Sequence, residues 1–245
     1  RLKLPAIEPE LNGWREVVAN LLNPQGEVRI ALVGKYVALH DAYKSVTESL
    51  IHAAAAHNRR VVVEWVDAED IERDGIPDAV KQADGIIVPG GFGPRGIEGK
   101  IAAAQYAREN GVPYMGLCLG LQVMTIEFAR NVLGWKSANS TEFDPETPYP
   151  VVDLMLAQRG IADKGGTMRL GRYPCVLRAG TRARDAYGID EISERHRHRW
   201  EINNDFRDAL QDAGLTWSGT SPDGQLVEMG EIRDHPWMVG SQFHP

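Results

Sequence analysis

The sequence is poor in cysteine: Cys118 and Cys175 are the only two in 245 residues. Two cysteines make neither a disulfide framework nor a four-cysteine zinc site, and the chain reads as a mostly reduced, cytoplasmic protein. No run approaches the ~20 continuous apolar residues of a membrane span. Residues 1–9 lack the apolar stretch of a signal peptide and read as a polar lead-in carrying Pro5 and Pro9. Positive charge is not in excess either. There are 27 Lys and Arg against 34 Asp and Glu, a formal net charge of −7, whereas a general nucleic-acid binder needs a basic footprint. An initiator Met is missing too, so a fragment, a processed form or a trimmed chain is expected. A chain of this length buries roughly 70% of its unfolded surface and needs no staple to fold.

What is present is an alternation of short apolar runs with longer helical ones. Val28–Val33, Val61–Val66, Gly85–Val88 and Val112–Leu117 predict strands. Residues 41–58, Ile97–Asn110 and Leu121–Leu133 predict helices, the second closed by Gly111. This order predicts a parallel sheet covered on both faces. After about Asn139 the pattern changes. A proline-bearing loop is expected over 140–150, strands over 167–177 and 225–243, and a helix over 203–214, as an antiparallel or mixed extension of the same sheet.

Met115-Gly116-Leu117-Cys118-Leu119-Gly120 is the sharpest chemical signal. A strand enters Gly-x-Cys-x-Gly and leaves as a helix, the cysteine form of a nucleophile elbow. The turn is too tight for side chains at the glycines. The cysteine sits where the helix dipole favours a thiolate, and the Leu119 N–H can serve an oxyanion. A plain buried cysteine is the competing reading. Pro89-Gly90-Gly91-Phe92-Gly93 follows another strand and lacks the Gly-Lys-Ser/Thr ending of a phosphate loop. Gln242-Phe243-His244-Pro245 offers a histidine, the usual base for a cysteine nucleophile. In Arg195-His196-Arg197-His198-Arg199, strand alternation would put the three arginines on one face and the two histidines on the other. A histidine zinc pair there lacks a third ligand, so no metal is expected. The arginines suit a carboxylate, against the alternative of a solvated face.

Gly-Leu-Cys-Leu-Gly, Gly-Gly-Phe-Gly and Gln-Phe-His-Pro together resemble the class I glutamine amidotransferases. Five further stretches narrow the resemblance to one branch of that family: Gly34-Lys35-Tyr36, Asp41-Ala42-Tyr43-Lys44-Ser45-Val46, Asn139-Ser140-Thr141-Glu142-Phe143, residues 165–171, and Arg195–Arg199. The resemblance runs from about Val28 to Pro245. It implies an α/β three-layer sandwich over 27–245 with a central, mostly parallel sheet and an antiparallel extension. Residues 1–26 would be a linker from an amidoligase (synthetase) domain that is not in this chain. The implied reaction is hydrolysis of L-glutamine to glutamate and ammonia through a cysteine thioester. The synthetase domain would use the ammonia for ATP- and magnesium-dependent amination of UTP to CTP. No cofactor is expected in the present domain, with GTP as an activator and a homotetramer at full length. By motif, Cys118 is the nucleophile and His244 the base. Leu119 and Gly91 supply oxyanion N–H groups, and Gly120, Leu121, Gln122, Glu142 and Arg199 belong to the glutamine site.

Two departures stand out. The family motif continues Gln-Phe-His-Pro-Glu, and here the sequence stops at Pro245, before the glutamate that orients the histidine and before a further helix. The stretch from Leu156 to Gly165 is also short for the family. Two competing functions remain: another Cys-His acyl-transfer enzyme, such as a γ-glutamyl hydrolase, and a catalytically silent partner domain. Intact Gly116, Cys118, Gly120 and His244 argue against the second.

Overall fold

Helix and strand alternate through the first half of the computed structural model, which describes residues 10–154 and 168–245. In chain order come α1 (Asn12–Leu22), β1 (Glu27–Gly34), α2 (Lys44–Ala56), β2 (Arg60–Asp67), α3 (Ala68–Asp74), α4 (Asp78–Lys81), β3 (Gly85–Val88), α5 (Ile97–Asn110), β4 (Tyr114–Leu117) and α6 (Leu119–Asn131). The second half holds β5 (Ala138–Ser140), β6 (Tyr149–Leu154), β7 (Arg169–Leu177), α7 (Arg182–Tyr187), β8 (Glu191–His198), β9 (Trp200–Ile202), α8 (Arg207–Asp212), β10 (Leu215–Thr220), β11 (Val227–Ile232) and β12 (Met238–Ser241).

One nine-stranded sheet runs β2-β1-β3-β4-β12-β11-β10-β7-β8. Its first five strands pair in parallel and the remaining four are added antiparallel. A three-stranded sheet, β5-β6-β9, lies apart. The expected parallel sheet with an antiparallel extension is therefore the fold.

β3 and the buried second half of β1 read as unbroken apolar runs because both of their faces are covered, whereas β2, at the sheet edge, keeps Glu64 and is only partly buried. Ala31, Val33, Ile86 and Val88 pack into the core with α3, α5 and α6, whereas Leu32, Ile87 and Leu117 pack with Tyr43 and with Val46 of α2. α5 ends where the sequence predicts, with Gly111 left-handed at φ 66°. α6 is buried from Leu119 to Ala129 and starts two residues before the predicted Leu121, with Cys118 at its N-cap position. The helix expected over 41–58 begins as a 3-10 turn, His40–Tyr43, before α2. Residues 12–22, within the expected linker, form α1, and Asn20 Nδ2 ties that helix to Ala55 O of α2 at 3.0 Å. The short stretch 156–165 and the opening of the 165–171 motif lie outside the described residues.

Gly99 shows how closely the helices approach. A Cβ there would lie 1.9 Å from the backbone oxygen of Ala68 in α3. Helix propensity alone would make Gly99→Ala stabilising by about 1 kcal/mol. A backbone oxygen cannot rotate aside, so the clash reverses the sign, and the variant should be less stable by about 1–3 kcal/mol. Chemical denaturation reads this directly; an unchanged or higher midpoint would mean that α3 and α5 separate without cost.

Candidate active site

Open α/β sheets place their sites at the carboxyl ends of the parallel strands. Here Pro89–Gly93 follows β3, Cys118 follows β4, and Gln242–His244 follow β12. β4 lies between β3 and β12, with Gly116 in register with both Val88 and Gly240. The sheet order thus joins a cysteine and a histidine from distant parts of the sequence.

The elbow depends on its glycines. A Cβ on Gly116 would lie 2.5 Å from the backbone of Gly120, and one on Gly120 would lie 2.1 Å from Val88 O. Between them Cys118 takes φ 55°, ψ −102°, a conformation held only where the surroundings over-determine it. Its N–H donates to Ser241 O at 2.6 Å, binding the turn to β12.

Cys118 is buried, and burial pushes its thiol up to about 12, with the backbone N–H of Leu119 pulling the other way. The thiolate expected at the helix N-terminus is therefore not the resting form, because desolvation outweighs the helix-end contribution. Gln242 Nε2 donates to Sγ at 3.5 Å. Gln122 Nε2 in turn reaches Gln242 Oε1 at 3.2 Å and Trp200 O at 2.9 Å. His244 is held through its N–H to Arg195 O at 2.9 Å. Burial, followed by the charges of His198, Arg195 and Arg197, lowers its pKa to about 4, so the ring is a neutral base at pH 7. Its Nε2 is buried without a hydrogen-bond partner. A Cβ on Gly90 would lie 2.8 Å from His244 Cε1 and 3.5 Å from Cys118 Cβ, so a glycine lets these side chains share one wall. They open onto a cavity of about 540 Å³, lined also by Gly90, Gly91, Phe92 and Arg195.

The other expected residues fall in three places. Leu119, Gly120, Leu121 and Gln122 form the buried first turn of α6. Glu142 Oε1 accepts from the Gly93 N–H at 2.8 Å, which braces the glycine loop. Burial raises its carboxyl, with Gly93 and Lys35 opposing. Arg199 corrects the alternation reading. Arg195 and Arg197 are exposed and His196 and His198 buried, but β8 ends at His198 and the chain bends, so Arg199 turns inward at 7% exposure. Neither Glu142 nor Arg199 lines the cavity around Cys118.

The two histidines lie against a buried network of Arg169 with Glu201 and Glu228. His198 Nε2 lies 2.7 Å from Glu201 Oε1, His196 Nε2 lies 3.6 Å from Glu228 Oε2, and Arg169 Nη1 reaches both carboxylates, at 3.0 Å to Glu228 and 3.4 Å to Glu201.

Sequence reasoning passes over Lys100, and meets Lys35 only inside the Gly34-Lys35-Tyr36 motif without giving it a role. Lys100 is fully buried in α5, and its Nζ donates to Pro89 O at 3.1 Å. Burial, and then the charge of Lys35, brings its pKa down to about 7. Lys35 Nζ donates to Phe92 O at 2.8 Å and also to Gly93 O. Tyr43 Oη accepts from the N–H of Lys35 at 2.9 Å and of Tyr36 at 3.2 Å. One signal for Lys100 was available: it shares the i, i+3, i+4, i+7 stripe with Ala103, Ala104 and Ala107, all buried.

Residues 38–245 match the glutamine amidotransferase class-I family, and the chain belongs to it. Within that class its relatives are CTP synthases. It is 60% identical over 245 residues to CTP synthase of Dehalococcoides mccartyi, covering all of this chain and 45% of that protein. It is also 60% identical over 246 residues to that of Roseiflexus castenholzii, covering 44% of it. The chain thus spans a little under half the length of these curated relatives. The solved glutaminase domain of Trypanosoma brucei CTPS, with bound acivicin, superposes with a TM-score of 0.82 at 40% identity, over 89% of this chain and 86% of that one.

A neutral resting thiol has a kinetic signature. Alkylation of Cys118 by iodoacetamide, followed by peptide mass spectrometry, should climb steadily from about pH 7 past pH 10, because the thiol loses its proton only toward 12. A plateau from mildly acidic to mildly alkaline pH would instead reveal a thiolate–imidazolium pair at rest.

Proposed function

We propose that this chain is the glutaminase part of a CTP synthase. Cys118 Sγ attacks the side-chain carboxamide carbon of L-glutamine, and the thiol proton passes to His244 Nε2. The Leu119 and Gly91 N–H groups take the oxyanion. His244 then returns the proton to the departing nitrogen, which leaves as ammonia, and the thioester is hydrolysed to glutamate by water that His244 deprotonates. In the complete protein the ammonia would reach a synthetase domain that uses ATP and magnesium to aminate UTP to CTP. Activation by GTP and assembly as a tetramer belong to that same proposal. The observation that carries the reading is the strained Cys118, set between two obligatory glycines and facing a buried neutral His244 across Gly90.

Cys118→Ala should abolish ammonia release from glutamine, while the complete protein still makes CTP from added free ammonia. Glutamine hydrolysis at a comparable rate by the variant would overturn the mechanism. Loss of the ammonia-dependent reaction as well would make Cys118 a structural residue.

In this proposal Arg199 takes the substrate's α-carboxylate and Glu142 its ammonium group, which requires the space around Cys118 to extend to them when glutamine binds. A bidentate, charge-assisted contact is worth roughly 1.5–3 kcal/mol. Arg199→Ala should therefore raise KM for glutamine about ten- to a hundredfold, with only partial rescue by Lys, whose point charge cannot reproduce the fork. An unchanged KM in steady-state kinetics would remove Arg199 from the substrate site.

A further inference from the structure

The Pro89–Gly93 loop has a conformational problem. Gly90 and Gly91 have no side chains to restrict their backbone, yet an oxyanion donor must be set before the reaction begins. The loop is anchored from outside, by two buried lysines on two different elements. Lys100 of α5 takes Pro89 O, and Lys35, just past β1, takes Phe92 O and Gly93 O. Because a peptide unit is planar, gripping its carbonyl also fixes the N–H on its opposite edge. The Phe92–Gly93 unit shows this on both edges, with Lys35 on the carbonyl and Glu142 on the N–H at 2.8 Å. The peptide units on either side of Gly91 therefore lie between clamped neighbours. A Cβ on Gly91 would lie 3.5 Å from Lys35 Cε and 3.7 Å from Lys100 Nζ, so both lysines reach the same stretch of backbone.

Placing two lysine amino groups in the interior is costly unless each is hydrogen-bonded. Lys100 is 0% exposed and Lys35 3% exposed, and the partners found for their Nζ atoms are these loop carbonyls. A lysine used only to fill space on the Ala103–Ala107 stripe would be better replaced by Leu or Met. The Tyr43 hydroxyl, bonded to the Lys35 N–H, fixes the base of that side chain, and a Cβ on Gly34 would lie 2.6 Å from the same hydroxyl.

We propose that Lys100, together with Lys35, is a positioning residue for catalysis: the two side-chain amino groups clamp the carbonyls of the glycine loop so that the Gly91 N–H is held toward the oxyanion formed on attack by Cys118. The proposal rests on the glutaminase reading and adds to it two residues that touch neither the substrate nor the reacting atoms.

The test is Lys100→Met in the complete protein, with four readouts: kcat and KM for glutamine, iodoacetamide alkylation of Cys118, the inhibition constant of the aldehyde analogue of glutamine, and thermal melting. Cys118 Sγ adds to the aldehyde carbon, the thiol proton passes to His244 and stays there, and the former carbonyl oxygen becomes the alkoxide that the N–H groups hold. That adduct needs the oxyanion donors, whereas alkylation by iodoacetamide does not. A clamp predicts that kcat falls about ten- to a hundredfold and that aldehyde affinity falls in parallel, while KM and the alkylation rate stay within about twofold of wild type. Lys100→Gln keeps an N–H for Pro89 O and should recover part of the loss. If Lys100→Met does not fold, Lys35→Met releases the other two carbonyls and should show the same split. Wild-type kcat and aldehyde affinity in a folded variant would overturn the clamp, as would losses shared equally by KM and alkylation. A wild-type protein that releases no ammonia from glutamine and forms no aldehyde adduct on Cys118 would remove the glutaminase reading, and this proposal with it. An active wild type beside an equally active variant removes the clamp alone.

Discussion

The close approach of one backbone to another at the end of β3 governs the rest of this molecule. The first turn of α6 sits so near that strand that a single carbon on Gly120 would lie 2.1 Å from Val88 O. That contact seats the N-terminus of α6 directly on the sheet, and the strained Cys118 is the only residue between it and β4. Three loops then converge on one edge, because β3, β4 and β12 are neighbours in the sheet. The antiparallel half has a part in this geometry. β11 pairs with β12 and so fixes the strand that delivers Gln242 and His244, and β8 holds His244 from the far side through Arg195 O.

Much of this was legible in the sequence, and where it was not the reasons are local. β3 and β4 were readable because burial leaves them apolar, and β1 and β2 because their runs Val28–Val33 and Val61–Val66 are apolar apart from Arg29 and Glu64, which pair with each other across the two strands at 3.1 Å. α5 was readable because its Gly111 stop is unambiguous. α3 was missed although its signals are present: Asp67 caps it by accepting from the Glu69 N–H at 2.9 Å, with Glu69 and Asp70 in the first turn. β10 was harder, since Leu215–Thr220 mixes Thr, Trp, Ser and Gly and its pairing with β11 shifts register around Gly219. Alternation placed His196 and His198 correctly but failed at Arg199, because a period of two holds only while the strand lasts.

For the site, the residues that resemblance supplied and those that packing supplied are of different kinds. Glycines, a cysteine and a histidine at sharp strand ends carry motifs that can be read one at a time. Lys35, Lys100 and Tyr43 carry no such motif of chemistry. Their roles exist only once β1, α5 and the turn before α2 are folded around the same loop. A lysine in an alanine-rich helix is read as solvated by default, and only its place on the buried stripe argues otherwise.

The distribution of charge ties these features together. At rest the centre of the site is uncharged: burial holds the Cys118 thiol protonated and the His244 ring neutral. Basic groups stand around it, with the Lys35 and Lys100 amino groups behind the glycine loop and the charged Arg195 and Arg197 on the wall of the cavity. A permanent thiolate–imidazolium pair in this interior would carry a desolvation penalty that its mutual attraction need not offset. Neutral partners avoid that penalty until a substrate arrives. In the proposed reaction the negative charge would then develop on an oxygen for which N–H groups and a helix N-terminus are already in place. If those dipoles are set by backbone contacts and by the proposed carbonyl clamps, they need little reorganisation when the charge forms, and this is the condition under which fixed donors in a low-dielectric site lower a barrier most.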